Sequence, residues 1–275
     1  MNTDRRDAAT LRDTVDGIPL VLVEPTGVPA GVALWLPPFG SDAEAMLPHL
    51  RGLADAGWVA ASIDPLRHGR RLDSPLDEGG RDEGGAALVD RTFRAFRAEM
   101  WQILGRTTLD AMRVLDRVLA SRQGATVVVG GISMGGDIAL ALAGIDARVG
   151  RVAVIGSTPD WRRPGMHTLW GDRGLVDQGE PTASSAWLER HLAPVRHVDA
   201  YDRDLDILMV QGAADDHITP GPALSLRDRL AISRARVTVE LREGLGHEVC
   251  REPAMVDRAL GFLTAGTSTS TASSR

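Results

Sequence analysis

Short apolar runs alternate with stretches of helical periodicity along most of this chain, and that alternation constrains the fold more than any other feature. The runs Gly17 to Glu24 (GIPLVLVE) and Val32 to Leu36 (VALWL) are bounded by Gly, Pro and Thr, as strands are. A cap-type pair, Ser41 and Asp42, then opens a segment with Met46, Leu50 and Leu53 at helical spacing, and Gly57 closes it. Trp58 to Asp64 (WVAASID) again reads as a strand. The polar stretch from Pro65 to Gly85 carries too much Gly, Asp and Arg for a core element and is expected to be a surface excursion. From Phe93 to Arg122, Phe96, Met100, Ile103, Leu104, Met112, Leu115 and Leu119 recur at helical spacing, which predicts one or two long amphipathic helices. A strand at 126–130 and a helix at 136–144 follow. The rhythm ends with strands at 151–156, 206–212 and 236–241 and helices near 222–231 and 253–264.

Strands separated by helices form a mostly parallel sheet with helices on both faces, so the fold class is α/β. The predicted domain spans residues 17–264, after an N-terminal extension at 1–16 and before a low-complexity tail at 265–275 that is expected to be disordered. Residues 157–203 interrupt the alternation with Trp161, Met166, Trp170 and Trp187. A segment of that length between two strands predicts a lid or substrate-binding insertion.

Composition removes several functional classes. A net charge of -6 provides no basic footprint for nucleic acid. A single cysteine, Cys250, rules out an internal disulfide framework and a cysteine-based zinc cluster. No apolar stretch reaches the roughly 20 residues needed to cross a bilayer, and the first residues lack the apolar core of a secretory signal, so a cytoplasmic protein with no membrane partner is expected. No histidine pair stands with carboxylates at metal-ligand spacing, so no metal site is expected. A homo-oligomer stays open.

Between the strand at 126–130 and the helix at 136–144, Gly131, Ile132, Ser133, Met134 and Gly135 spell G-x-S-x-G. In a strand-to-helix context this pattern predicts a nucleophile elbow: the serine occupies a strained turn, glycines leave room for the backbone, and helix N–H groups lie beneath a developing negative charge. A serine hydroxyl needs a base, and the base needs an orienting acid. Two later strands end in loops that supply them. "GAADDHITP" follows the strand at 206–212 and holds Asp215 and Asp216; "REGLGHEV" follows the strand at 236–241 and holds His247. Both loops fall on the carboxyl edge of the strands, where open α/β sheets carry their sites. Asp160, after the strand at 151–156, is a further candidate acid.

With its serine, acid and histidine in that order, the chain resembles the α/β-hydrolase fold serine hydrolases, near the dienelactone hydrolases and prolyl oligopeptidase-like esterases, over residues 17–264. In those proteins the acid stands three positions after a strand-ending glycine, which from Gly212 implies Asp215 rather than Asp216. The resemblance implies that the N–H of Met134 forms half of an oxyanion hole. The other half commonly comes from a His-Gly-x-Gly loop, and this chain has Pro37, Pro38, Phe39 and Gly40 there. Proline has no N–H to donate, so Phe39 is the implied second donor. His68 resembles a turn histidine that such hydrolases carry outside the triad. The expected activity is cleavage of a small or medium carboxylic ester through an acyl-enzyme, without a cofactor. Peptidase, thioesterase and acyltransferase chemistry remain as alternatives on the same triad, and a non-catalytic ligand-binding protein as the contrast. Trp161, Arg162 and Arg163 follow a strand end, where Trp161 is expected to shape the acyl pocket and an arginine to receive a substrate carboxylate.

Overall fold

The computed structural model describes residues 9–72, 81–169 and 174–266. The expectations for Trp170 and for most of the C-terminal tail fall outside these residues. The eight strands β1 (Thr10–Val15), β2 (Ile18–Val23), β3 (Gly31–Leu36), β4 (Val59–Ile63), β5 (Thr126–Ile132), β6 (Val149–Ile155), β7 (Asp206–Gly212) and β8 (Arg236–Arg242) form one sheet in the order β1-β2-β4-β3-β5-β6-β7-β8. The strands β3, β4, β5, β6, β7 and β8 are parallel, and β2 runs antiparallel to β4. Each parallel strand except the edge strand β8 is buried on both faces at the end of its run, which explains why valine and alanine runs, not strict alternation, marked these strands in the sequence.

The sheet reaches further toward the N-terminus than the expected boundary at residue 17. Thr10–Val15 forms β1 and pairs with β2 through a hairpin at Asp16-Gly17, where φ is +50° and +82°. Positive φ at both central residues is what the twist of a two-residue hairpin requires, and Asp-Gly is a favoured pair for it. The strand escaped the hydrophobic pattern because it is an edge strand with four consecutive exposed residues.

Side-chain parity divides the core into two layers. Leu34, Leu36, Val127 and Val129 point to the face covered by α3 (Phe96–Leu119), α4 (Met134–Ile145), α5 (Ala183–Leu192) and α6 (Gly221–Leu230). Ala33, Trp35, Val128 and Ile132 point to the opposite face, against α1 (Leu47–Asp55) and α7 (Pro253–Thr264). The remaining helix, α2 (Arg81–Arg94), lies where the polar stretch was expected to continue to Gly85; it meets α3 at Ala95, whose backbone (φ −143°, ψ 55°) is not helical.

Two indoles explain glycines within the sheet. A Cβ on Gly130 would stand 2.7 Å from the ring of Trp35, and one on Gly31 would stand 2.6 Å from the ring of Trp58. Gly130→Ala should therefore overpack the core and destabilise the fold by about 1–3 kcal/mol, read as a lower urea midpoint at unchanged slope.

The 157–203 segment is less of a lid than its length suggested. Its helix α5 packs directly on α3: Leu188 lies so near Gly105 that a Cβ there would come within 2.7 Å. Helix α5 is thus part of a structural layer, whereas Arg163 and Leu169, between β6 and α5, reach the carboxyl edge of the sheet beside Ser133.

Candidate active site

Five loops converge at the carboxyl edge of the parallel strands, and close backbone packing fixes the central one. Ser133 follows β5 and caps α4 with φ +51° and ψ −119°, a conformation rarely adopted by a non-glycine residue. Its N–H donates to the Ile155 carbonyl (2.8 Å), and its own carbonyl accepts from the Ser157 hydroxyl (2.9 Å). The flanking glycines are sterically required. A Cβ on Gly131 would lie 2.6 Å from the Gly135 carbonyl carbon, and one on Gly135 would lie 2.2 Å from the Leu36 carbonyl oxygen. The turn can cross β3 and β5 at this height with no side chain at either position.

The acid and base loops are clamped together in the same way. A Cβ on Gly212 would meet the Gly246 carbonyl at 2.2 Å, and the Ala214 N–H donates to the Leu245 carbonyl (2.9 Å). This contact brings Asp215 to His247. The Nδ1–H of His247 donates to Asp215 Oδ2 (2.8 Å), and His247 Nε2 lies 3.1 Å from Ser133 Oγ. Asp215 Oδ1 is held separately by the N–H groups of His217 (2.9 Å) and Ile218 (2.8 Å), so the carboxylate cannot rotate away from the imidazole without losing both. Burial favours the neutral imidazole. The hydrogen bond to Asp215, aided by Cys250 Sγ at 3.8 Å from Nε2, outweighs it and raises the His247 pKa above 6.5. Asp216 contributes a backbone carbonyl to the His167 N–H (2.9 Å), and Asp160 is engaged by Arg162, so neither rival acid meets the histidine.

Phe39 and Met134 both border the cavity with Ser133. Met134 is the first residue of α4, so its N–H is one of those a helix leaves without an internal acceptor. Near Phe39 the chain folds as a turn: the Ser41 N–H donates to the Pro38 carbonyl (3.1 Å), and Gly40 has φ +80°, as the third residue of a type II turn does. That bond leaves the Phe39 N–H out of the turn, and among the described residues it has no acceptor. The Phe39 ring meets His68 edge-on at 5.1 Å between centroids and Phe93 at 6.0 Å. His68 is buried, with its pKa lowered to about 4 by desolvation, and its Nδ1–H donates to the Leu66 carbonyl (2.8 Å); it supports the Phe39 loop from behind and does not join the serine.

The cavity over Ser133 has a volume of about 470 Å³. Of the three residues expected to bind substrate, Arg163 alone lines it. Trp161 is wholly buried in the core, and its carbonyl accepts from the Trp101 indole N–H (2.8 Å), so it does not shape the pocket. Arg162 turns away to form a two-point contact with Asp160 (2.8 Å from both Nε and Nη2) and faces a separate surface groove beside Arg97 and Gln178.

The sequence reading did not connect Arg163 with Asp137. The two form a buried ion pair at 2.5 Å beneath the cavity, where Asp137 Oδ1 also accepts from the Thr158 N–H (2.7 Å). Burial pushes the Asp137 carboxyl up, against the pull of Arg163. The signal was present: Asp137 is the one charged residue in the otherwise apolar helix MGGDIALALAGI, four positions after Ser133. Cys250 is half-buried and borders the cavity. Among the described residues, no group of three His, Cys, Asp or Glu side chains is arranged to hold a metal, and no helix is long and apolar enough to cross a membrane.

The chain is similar in fold to solved structures over nearly its whole length. The Thermus thermophilus protein TT1662 is similar with a TM-score of 0.66 at 20% identity, covering 93% of this chain and 96% of that one. Acetyl xylan esterase 1 from Thermoanaerobacterium sp. JW/SL YS485 is similar with a TM-score of 0.58 at 17% identity, covering 96% of this chain and 85% of that one. The fold is that of the α/β-hydrolases. An acylaminoacyl peptidase from Pyrococcus horikoshii shares this fold at 13% identity and a TM-score of 0.60, with 94% of this chain matching 40% of the peptidase. No family model and no curated protein matches the sequence.

Proposed function

We propose that this α/β-hydrolase-fold chain is a serine hydrolase that cleaves a small or medium carboxylic ester. The observation that carries the reading is the unbroken chain from Ser133 Oγ through His247 to Asp215 Oδ2, with separations of 3.1 and 2.8 Å, opening on a cavity. His247 Nε2 takes the Ser133 proton as Oγ attacks the ester carbonyl. Asp215 holds the proton on Nδ1 and stabilises the imidazolium. The N–H groups of Phe39 and Met134 receive the oxyanion, where α4 adds the positive end of its dipole. The imidazolium then protonates the departing alcohol, leaving an acyl-serine. Water, deprotonated by His247, releases the acid by the reverse sequence. No step calls on a cofactor. A cavity of about 470 Å³ suits a compact ester.

Hydrolysis of p-nitrophenyl esters from acetate to decanoate tests this reading. Turnover should favour the short and middle chains and fall off toward decanoate; absence of turnover across the whole series would count against it. The pH profile carries its own expectation. His247 must be neutral to accept the serine proton, and its pKa is raised, so kcat/KM should rise with pH on an acid limb whose midpoint lies above 6.5. A midpoint well below 6.5 would contradict the hydrogen-bonded geometry.

A further inference from the structure

The ring of His217 stands in the same cavity as the serine and has no part in the proposed mechanism. Its ring lies 5.0 Å from that of His247 and 5.9 Å from that of Phe93. The nitrogen Nδ1 faces the His167 carbonyl at 2.7 Å, and a carbonyl can only accept, so the proton resides on Nδ1. Nε2 is then a bare lone pair, and among the described residues no donor meets it. Desolvation, reinforced by the charge of Arg163 and by His247, lowers the His217 pKa to about 3, so the ring stays neutral. An acceptor that faces the cavity with no protein donor is free to receive a hydrogen bond from a ligand.

Arg163 lines the same cavity and offers the opposite polarity. Nη2 is bound to Asp137, Nε is buried without a partner, and the guanidinium lies 5.3 Å from the Phe96 ring centroid. With Asp137 beside it, the pair brings little net charge to the cavity. A substrate carboxylate would meet a guanidinium that is already neutralised and, nearby, a lone pair that repels it. A group that accepts from the part of the Arg163 guanidinium that lines the cavity while donating to His217 would engage both.

We propose that His217 Nε2 and the Arg163 guanidinium together recognise a neutral donor–acceptor group, a hydroxyl or an amide, carried by the substrate next to the scissile ester. The physiological substrate is then a hydroxy- or amide-bearing ester and not a carboxylate-bearing one. This assignment rests on the serine-hydrolase reading and narrows its substrate class.

Two matched ester sets test it. One varies the acyl side: p-nitrophenyl butyrate, 3-hydroxybutyrate, 3-acetamidopropanoate and hydrogen succinate. The other varies the alcohol side: the butyrate esters of ethanol, ethylene glycol, N-acetylethanolamine and glycolate. Dissociation constants are measured by calorimetry on the full chain carrying Ser133→Ala, and kcat/KM on the unsubstituted protein. In one of the two sets, the hydroxyl or amide ester should bind roughly tenfold more tightly than its apolar counterpart, with the carboxylate ester the weaker ligand. Comparing the hydroxyl and amide members identifies which group is read. Adding His217→Phe should reduce the ratio to about one, whereas His217→Gln, whose carbonyl oxygen still accepts, should retain part of it. Equal binding of all members in both sets, tightest binding of a carboxylate ester, or a preference that survives His217→Phe would overturn the proposal. The two readings fail separately: a binding preference without turnover would sink the hydrolase reading alone, and turnover without the preference would sink this one alone.

Discussion

Ser133→Ala should lower kcat for ester hydrolysis by roughly a million-fold while leaving the fold intact. The hydroxyl is the proposed attacking atom, and among the described residues its one side-chain hydrogen bond is the 3.1 Å contact with His247. The turn around it is held by backbone groups that alanine keeps: the N–H to Ile155 and the carbonyl that accepts from Ser157. Alanine at φ +51° is strained about as much as serine, so the stored strain does not change sign and stability should stay within about 1 kcal/mol. Thermal melting beside steady-state kinetics separates the two effects. A variant that melts with the parent and yet keeps more than a small fraction of turnover would remove Ser133 from the chemistry.

Asp215→Asn should cost about ten-thousand-fold in kcat and shift the acid limb downward. The carboxylate accepts three donors, His247 Nδ1–H and the N–H groups of His217 and Ile218. An amide keeps the shape but has one oxygen. If that oxygen stays on the two backbone N–H groups, its NH2 faces His247 and drives the proton to Nε2, where it points at Ser133 and blocks proton abstraction. Removal of the negative charge also takes away what raises the His247 pKa against burial, so the midpoint of the limb should fall. Loss of rate without movement of the limb would mean that Asp215 orients the ring but does not set its basicity. An unchanged rate would exclude it as the acid, and Asp160→Asn would then be the variant to measure.

The site was legible in the sequence where local sterics and topology dictate it. A serine between glycines at a strand-to-helix junction has few structural uses, and the clashes that a Cβ would create at Gly131 and Gly135 explain why that pattern is so restrictive. The loops after β7 and β8 had to fall on the same edge once the strands were parallel, so an acid and a base at those two ends were destined to meet. Choosing Asp215 over Asp216 depended on family resemblance, and the backbone explains it: the N–H groups of His217 and Ile218 reach back to Asp215. Side-chain direction was not legible. Trp161, Arg162 and Arg163 are consecutive, yet one enters the core, one turns out to Asp160 and one lines the cavity. Arg163 has φ +43°, a backbone twist that its residue type does not announce. Nor did hydrophobic pattern reveal β1, whose stability comes from pairing with β2 and whose side chains mostly face outward; the Asp16-Gly17 hairpin pair was the available clue.

The central claim is that Ser133 is an activated nucleophile, and a fluorophosphonate label tests it most directly, because stable phosphonylation requires the serine, its base and the oxyanion donors to act together without any assumption about substrate. Peptide mapping of the labelled protein should find one modified residue, Ser133, with labelling abolished by Ser133→Ala and strongly slowed by His247→Ala. Absence of label from the intact protein, or label on another serine with Ser133 untouched, would contradict the account.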